Sequence, residues 1–123
     1  GHIRSRIVSV SSDGGQNWDT SYYDKKLPDP VCQGTILTIG KKKGKNILAF
    51  CNAADERKRD NLTLRVSYDD GRSWPVAKLI DKAEQLKDNA AYSDIVKLSK
   101  RSVGVLYEKN GYSQILFIAV KWK

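Results

Sequence analysis

Few residue types are available to this chain for chemistry. Its single histidine, His2, stands at the terminus, and its two cysteines, Cys32 and Cys51, lack CxxC spacing. Together they offer no ligand set for a metal. Buried free thiols in strands account for the cysteines, although the sequence leaves a disulfide open. What remains is arginine, tyrosine and carboxylate chemistry. A guanidinium is planar, stays charged at any working pH and pairs bidentately with a carboxylate. A tyrosine hydroxyl is neutral at rest, titrates at about 10 and needs a neighbouring base before it can act as a nucleophile. With six tyrosines and 22 lysines and arginines, composition cannot choose among them. Their local settings must.

The elements that would position such groups read as all-β. Short segments rich in β-branched and aromatic residues recur between turn formers: Arg6 to Ser11, Val31 to Ile39, Asn46 to Cys51, Leu62 to Tyr68, Ala77 to Ile80, Ser93 to Leu98, Val103 to Glu108 and Ile115 to Lys121. Turns fall at Asp13-Gly14-Gly15, Lys43-Gly44, Asp69-Asp70-Gly71 and Asn110-Gly111, each supplying a glycine for positive φ. One helical turn is expected at 81–86. At 123 residues the chain is sized for one compact unit, and no stretch approaches the roughly 18 apolar residues of a membrane-spanning helix. The opening Gly1-His2-Ile3-Arg4-Ser5-Arg6 has neither a start methionine nor a signal peptide, which reads as a piece of a longer chain.

The net charge of +8 fits a lysine-rich solvated surface, an anionic substrate or a polyanionic partner. Its densest run, Lys41-Lys42-Lys43-Gly44-Lys45, sits between two strand-like segments and reads as a hairpin tip. A nucleic-acid partner therefore rests on net charge alone and is not expected. Asn61-Leu62-Thr63 fits an N-glycosylation sequon, but it overlaps a strand and carries little weight.

Repetition narrows the fold. Ser11-Ser12-Asp13-Gly14-Gly15-Gln16-Asn17-Trp18 and Ser67-Tyr68-Asp69-Asp70-Gly71-Arg72-Ser73-Trp74 share the pattern S-x-D-x-G-x-x-W, with 56 residues between Ser11 and Ser67. That is about the size of one four-stranded propeller blade. The aspartate accepts from backbone N–H groups across the turn, the glycine takes the conformation other residues avoid, and the tryptophan is expected to pack beneath the hairpin. The motif is a folding device and receives no catalytic role.

These two motifs resemble the Asp boxes of sialidases and other β-propellers. Four further segments resemble sialidases in family order. Asn52-Ala53-Ala54-Asp55-Glu56-Arg57-Lys58-Arg59-Asp60-Asn61-Leu62-Thr63 is similar to the segment that carries the third arginine of the family's carboxylate-binding triad, with Ala53 where proline is usual. By spacing Arg59 is that arginine, and Arg57 is the competitor. Ala91-Tyr92-Ser93-Asp94-Ile95 resembles the element whose tyrosine is the nucleophile. Gly104-Val105-Leu106-Tyr107-Glu108 resembles the one whose glutamate braces an arginine of the triad. Asp29-Pro30-Val31-Cys32-Gln33-Gly34-Thr35-Ile36 is similar to the Cys-Gln-Gly-Ser stretch beside the substrate.

The resemblance implies a six-bladed β-propeller, of which residues 1–123 would form the C-terminal two to three blades of a single domain. It also implies an exo-α-sialidase acting on sialylated glycans with retention. Tyr92 and Glu108 would be catalytic, Arg59 and Gln33 substrate-binding, and no metal or other cofactor would be required. Sialic acid carries a carboxylate on its anomeric carbon, so a neutral tyrosine avoids the repulsion that a carboxylate nucleophile would meet. Such enzymes are exceptions to the two-carboxylate rule of glycosidases. The resemblance places the other two arginines, the acid/base aspartate and the nucleophile's glutamate partner ahead of Gly1, so the isolated piece is expected to be inactive. A secreted, periplasmic or cell-surface location is expected. The alternative is a non-catalytic, glycan-binding propeller.

Overall fold

The computed structural model describes residues 4–83 and 89–123. Among the described residues nine strands run in sequence: β1 (Ser5–Val8), β2 (Tyr22–Pro28), β3 (Thr35–Lys42), β4 (Lys45–Ala53), β5 (Leu62–Ser67), β6 (Val76–Asp81), β7 (Ala90–Lys97), β8 (Ser102–Lys109) and β9 (Gln114–Lys121). All pairings are antiparallel and sequential, giving sheets β1-β2, β3-β4-β5-β6 and β7-β8-β9. These are up-and-down meanders, the build of propeller blades.

Both faces of the middle of the central sheet are covered, which fits the apolar run of β4 from Ile47 to Cys51, whereas β5 alternates Leu62, Leu64 and Val66 with Thr63, Arg65 and Ser67. One face sends Ile47, Ala49, Cys51, Leu62, Leu64 and Val66 into a core shared with Ala90, Ile95, Val103, Val105 and Tyr107 of the third sheet. The opposite face presents Phe50, whose ring lies 5.9 Å from that of Trp74 and 5.6 Å from the Arg6 guanidinium.

Both Asp boxes form the expected corners. In the second, Asp69 accepts from the Ser73 amide at 2.8 Å and the Ser73 hydroxyl at 2.6 Å, while Ser67 Oγ accepts from the Gly71 amide at 2.8 Å. In the first, Asp13 accepts from the Asn17 amide at 2.8 Å and Ser11 Oγ from the Gly15 amide at 2.8 Å. Gly15 and Gly71 sit at φ 93° and 85°, where only glycine is comfortable. Trp18 folds back on its own corner, its Nε1 donating to the Gly15 carbonyl at 3.1 Å, yet it stays 62% exposed.

Boundaries also differ from the sequence reading, among them the start of β7, at Ala90 rather than Ser93. β1 ends at Val8 because Ser11 belongs to the box. β2 was not anticipated, since Asp24, Lys25 and Lys26 occupy its middle. The segment expected to be extended from Val31 begins only at Thr35. Before it, the Asp29 carboxylate accepts from the Val31 and Cys32 amides at 3.2 and 3.4 Å, turning the chain with Val31 at φ 67°. The helical turn expected at 81–86 falls largely outside the described residues, and Asp81 itself ends β6. The lysine-rich run does form a hairpin tip, with Lys43 and Gly44 at φ 51° and 77°.

Candidate active site

The site is assembled where the central and third sheets meet. Pairing between β7 and β8 shifts by one residue between Ala90 and Ser93, the signature of a β-bulge, which leaves an amide outside the ladder and re-aims a side chain. That amide belongs to Tyr92 and donates to Glu108 Oε1 at 3.1 Å. The Tyr92 side chain is left 51% exposed.

The next residue is held from the other sheet. Gln33 Nε2 donates to the Ser93 carbonyl at 3.0 Å, and its Oε1 accepts from the Ser93 amide at 3.1 Å. Gln33 thus acts as an extra rung beside β7, and Glu108 takes the rung that the bulge vacates. Thr35 Oγ1 donates to Asp94 Oδ1 at 3.2 Å two residues further along. Gly34 makes this approach possible on its other side, because a side chain there would overlap the Arg6 guanidinium and meet Phe50 at 3.0 Å. Arg6 in turn donates to the Cys32 carbonyl at 2.8 Å and pairs with Asp29 at 3.4 Å.

Arg59 comes from the loop between β4 and β5. Asp55 accepts from the Arg57 and Lys58 amides at 2.8 and 3.0 Å and from Asn61 Nδ2 at 3.1 Å, closing the loop. Burial pushes the Asp55 carboxyl up, but those two amides, the Lys58 charge and Asn61 together bring it below the ordinary range. Buried Asp60 accepts from the Ala83 amide at 2.8 Å, tying the loop to the chain beyond β6. The sequon's polar groups serve the same closure: Asn61 is bonded to Asp55, and Thr63 Oγ1 donates to the Asn61 carbonyl at 2.7 Å.

Of the two candidate arginines, it is Arg59 that lies beside the tyrosine, with its guanidinium carbon 5.6 Å from the Tyr92 ring centroid. Arg57 is exposed. A third side chain, absent from the sequence reading, completes the group. Tyr112 sits on the tip between β8 and β9, where its hydroxyl accepts from Arg59 Nη1 at 2.7 Å and its ring centroid is 6.0 Å from the guanidinium. The Arg59 guanidinium is shifted upward first by the charge that the Cys32 thiol can carry and then by the Tyr112 bond.

Beneath the site lies a second unanticipated group. Asp81 accepts from Tyr107 Oη at 2.6 Å, from Asn89 Nδ2 at 3.0 Å and from Lys109 Nζ at 2.8 Å. The Asn89 and Ala90 amides then donate to the Arg59 carbonyl at 2.8 and 3.1 Å, and the Asn89 carbonyl accepts from the Asn110 amide at 2.9 Å. The backbones of Arg59, the start of β7 and the Tyr112 hairpin are therefore held by one residue, itself oriented by Asp81. No local motif in the sequence marks this convergence.

Both cysteines are free and buried. Burial pushes the Cys32 thiol up and the Cys51 thiol to about 12, so neither is poised as a thiolate. Among the described residues no group of three or more His, Cys, Asp or Glu side chains could hold a metal ion, and no helix is long and apolar enough to cross a membrane. The arrangement offers an exposed phenol on a rigid backbone beside a fixed guanidinium, suited to an anionic ligand.

Comparison with known proteins bears on which ligand. The model for the BNR repeat-like domain matches residues 1–106. A sialidase of Micromonospora viridifaciens is 35% identical over 109 residues, covering 84% of this chain and 16% of that protein. A sialidase of Bacteroides fragilis is 31% identical over 125 residues, covering 97% of this chain and 22% of the relative. Among solved structures, the Hadza microbial sialidase Hz136 superposes with a TM-score of 0.75 at 28% identity, over 95% of this chain and 23% of its own. The chain spans less than a quarter of the length of each of these three proteins.

Proposed function

The chain belongs to the BNR repeat-like family of the sialidases, as part of a β-propeller, and on that premise we propose that the whole protein is an exo-α-sialidase. Its substrates are glycoconjugates ending in α-linked sialic acid. The observation that carries this reading is the bulge in β7, which turns Tyr92 outward beside Arg59 while Glu108 and Gln33 hold the backbone on either side.

In the proposed reaction the Arg59 guanidinium binds the sialic acid carboxylate and sets the anomeric carbon within reach of Tyr92. The Tyr92 hydroxyl gives its proton to a base from another part of the propeller as its oxygen bonds to that carbon and the bond to the aglycone oxygen breaks. The aglycone leaves with a proton from an acid supplied by another part of the propeller. Water then attacks from the face the aglycone left, opposite the tyrosine, and gives a proton to the spent acid; the tyrosine oxygen departs and recovers its own proton from its base, so configuration is retained overall. A neutral nucleophile suits an anomeric centre that bears a carboxylate. The piece 1–123 on its own is inactive in this reading, because the base for Tyr92 and the remaining carboxylate-binding arginines lie elsewhere in the whole protein. In the same reading the whole protein is secreted, periplasmic or at the cell surface, where sialylated glycans are displayed; cell fractionation would test this.

The deciding assay is release of a fluorophore from a sialoside by the whole protein. Tyr92→Phe should reduce kcat by at least about a thousandfold, as loss of a covalent nucleophile does. Arg59→Ala should reduce kcat/KM with the fold intact. A wild-type protein that binds sialosides without cleaving them would replace the enzyme reading with a glycan-binding one.

A further inference from the structure

We propose that Tyr112 is the positioning residue for Arg59, holding its guanidinium in the orientation that receives the sialic acid carboxylate; this rests on the sialidase reading above. The argument begins with a conformational cost. Asn110, Gly111 and Tyr112 occupy three successive left-handed positions, at φ 52°, 60° and 71°. Glycine adopts that region freely and asparagine tolerates it, but a bulky residue there is an outlier. Tyr112 recovers little by burial, since it is 52% exposed. Folding alone gives no reason for a tyrosine at this tip.

The contact with Arg59 does give a reason. An arginine side chain has many rotamers and loses them when it binds a carboxylate. Here the Tyr112 hydroxyl takes one Nη1 proton at 2.7 Å, and the Tyr92 and Tyr112 rings lie 5.6 and 6.0 Å from the guanidinium carbon.

The tip that carries Tyr112 is itself anchored. Asn110 Nδ2 donates to Gln114 Oε1 at 2.7 Å, and Ser113 Oγ donates to the Asn110 carbonyl at 2.7 Å. The Asn110 amide reaches the carbonyl of Asn89, whose own amide holds the Arg59 backbone. Both ends of the Arg59–Tyr112 bond thus stand on the same support, and the arginine is organised before the substrate arrives.

The test uses the whole protein with Tyr112→Phe, which keeps the ring, and Tyr112→Gly, which relieves the backbone. For Tyr112→Phe, KM for a fluorogenic sialoside and Kd for free sialic acid by calorimetry should both rise about tenfold, the loss of roughly one charge-assisted hydrogen bond, while kcat changes less than about twofold. Tyr112→Gly should bind at least as weakly yet melt at the same or a higher temperature. In an Arg59→Ala background, Tyr112→Phe should have no further effect on Kd. Unchanged KM and Kd in both variants would overturn the proposal, as would an effect that persists without Arg59. If the wild type binds sialic acid without hydrolysing any sialoside, the enzymatic reading fails and the calorimetric comparison still decides the role of Tyr112. A wild type that does not bind sialic acid overturns both.

Discussion

Tyr107→Phe measures how strongly the polar group under the site holds the two sheets together. Tyr107 is 5% exposed and its hydroxyl donates to Asp81 Oδ2 at 2.6 Å. Phenylalanine fills the same space, so the variant loses one hydrogen bond to a charged acceptor and creates almost no cavity. Such bonds contribute about 1.5–3 kcal/mol. Asp81 keeps Asn89 and Lys109, so no charge is orphaned and the cost should lie at the lower end, about 1.5–2 kcal/mol. In a whole propeller, larger than this chain, that lowers Tm by roughly 3–8 °C at most.

The pH dependence separates this bond from mere packing. Burial pushes the Asp81 carboxyl up, but Lys109, Tyr107 and Asn89 together hold it below the ordinary range. A carboxyl depressed in the folded state contributes stability above its unfolded value of about 3.9, and that stability is lost as pH falls through the folded value. The cost of Tyr107→Phe should therefore be full at neutral pH and shrink in acid below about pH 4. Burial first, and then the bond and charge of Asp81, push the Tyr107 hydroxyl well above its usual value. A raised tyrosine contributes stability below about pH 10 that is lost above it, and the phenylalanine variant should lack that alkaline loss. Urea unfolding of wild type and variant in acid, at neutrality and above pH 10 reads all three effects. A cost under about 0.5 kcal/mol at neutral pH, or one indifferent to acid, would refute the reasoning.

Two other substitutions probe the scaffold. Gly34→Ala should destabilise by about 1–2 kcal/mol, because the added carbon meets the Phe50 ring at 3.0 Å and overlaps the Arg6 guanidinium, which must then leave the Cys32 carbonyl and Asp29; urea unfolding checks it, and a stability equal to wild type would show that Arg6 moves aside freely. In the Asp boxes, the Asn17 amide and side chain hold the Asp13 carboxyl at about 2, and the Ser73 hydroxyl and amide hold Asp69 at about 2. Both are depressed, so their contribution is present above about pH 4 and lost between there and about pH 2. Asp69→Asn should flatten the acid side of the Tm–pH curve. At neutral pH Asp69→Ala should lower Tm more than Asp13→Ala, because the second box seats Trp74 against Phe50 whereas Trp18 is exposed.

What could be read from the sequence divides along the range of the interactions concerned. The Asp boxes were legible because the bonds that the Asp and Ser side chains make to close their corners span four residues or fewer. β4 was legible by its apolar run from Ile47 to Cys51, and β5 by the alternation of Leu62, Leu64 and Val66 with polar residues. β2 was not, since an edge strand with Asp24, Lys25 and Lys26 at its centre is stabilised by pairing with β1 rather than by its own composition.

Within the site, Arg59 and Tyr92 could be picked out by the segments around them, but their juxtaposition depends on a bulge, and a bulge is a property of two strands. For the same reason Glu108 and Gln33 were named for substrate chemistry, while what the structure displays is their hold on the backbone of Tyr92 and Ser93. Tyr112 lies 53 positions from Arg59 along the chain, and its bond exists only because the β8–β9 register sets where the hairpin tip falls. Asn89 joins three backbone segments through groups that every residue possesses, its amide and its carbonyl, so no side-chain pattern could announce it. Residues that do chemistry carry a type that can be recognised in isolation; those that aim them carry a position, and position is written only in the folded sheet.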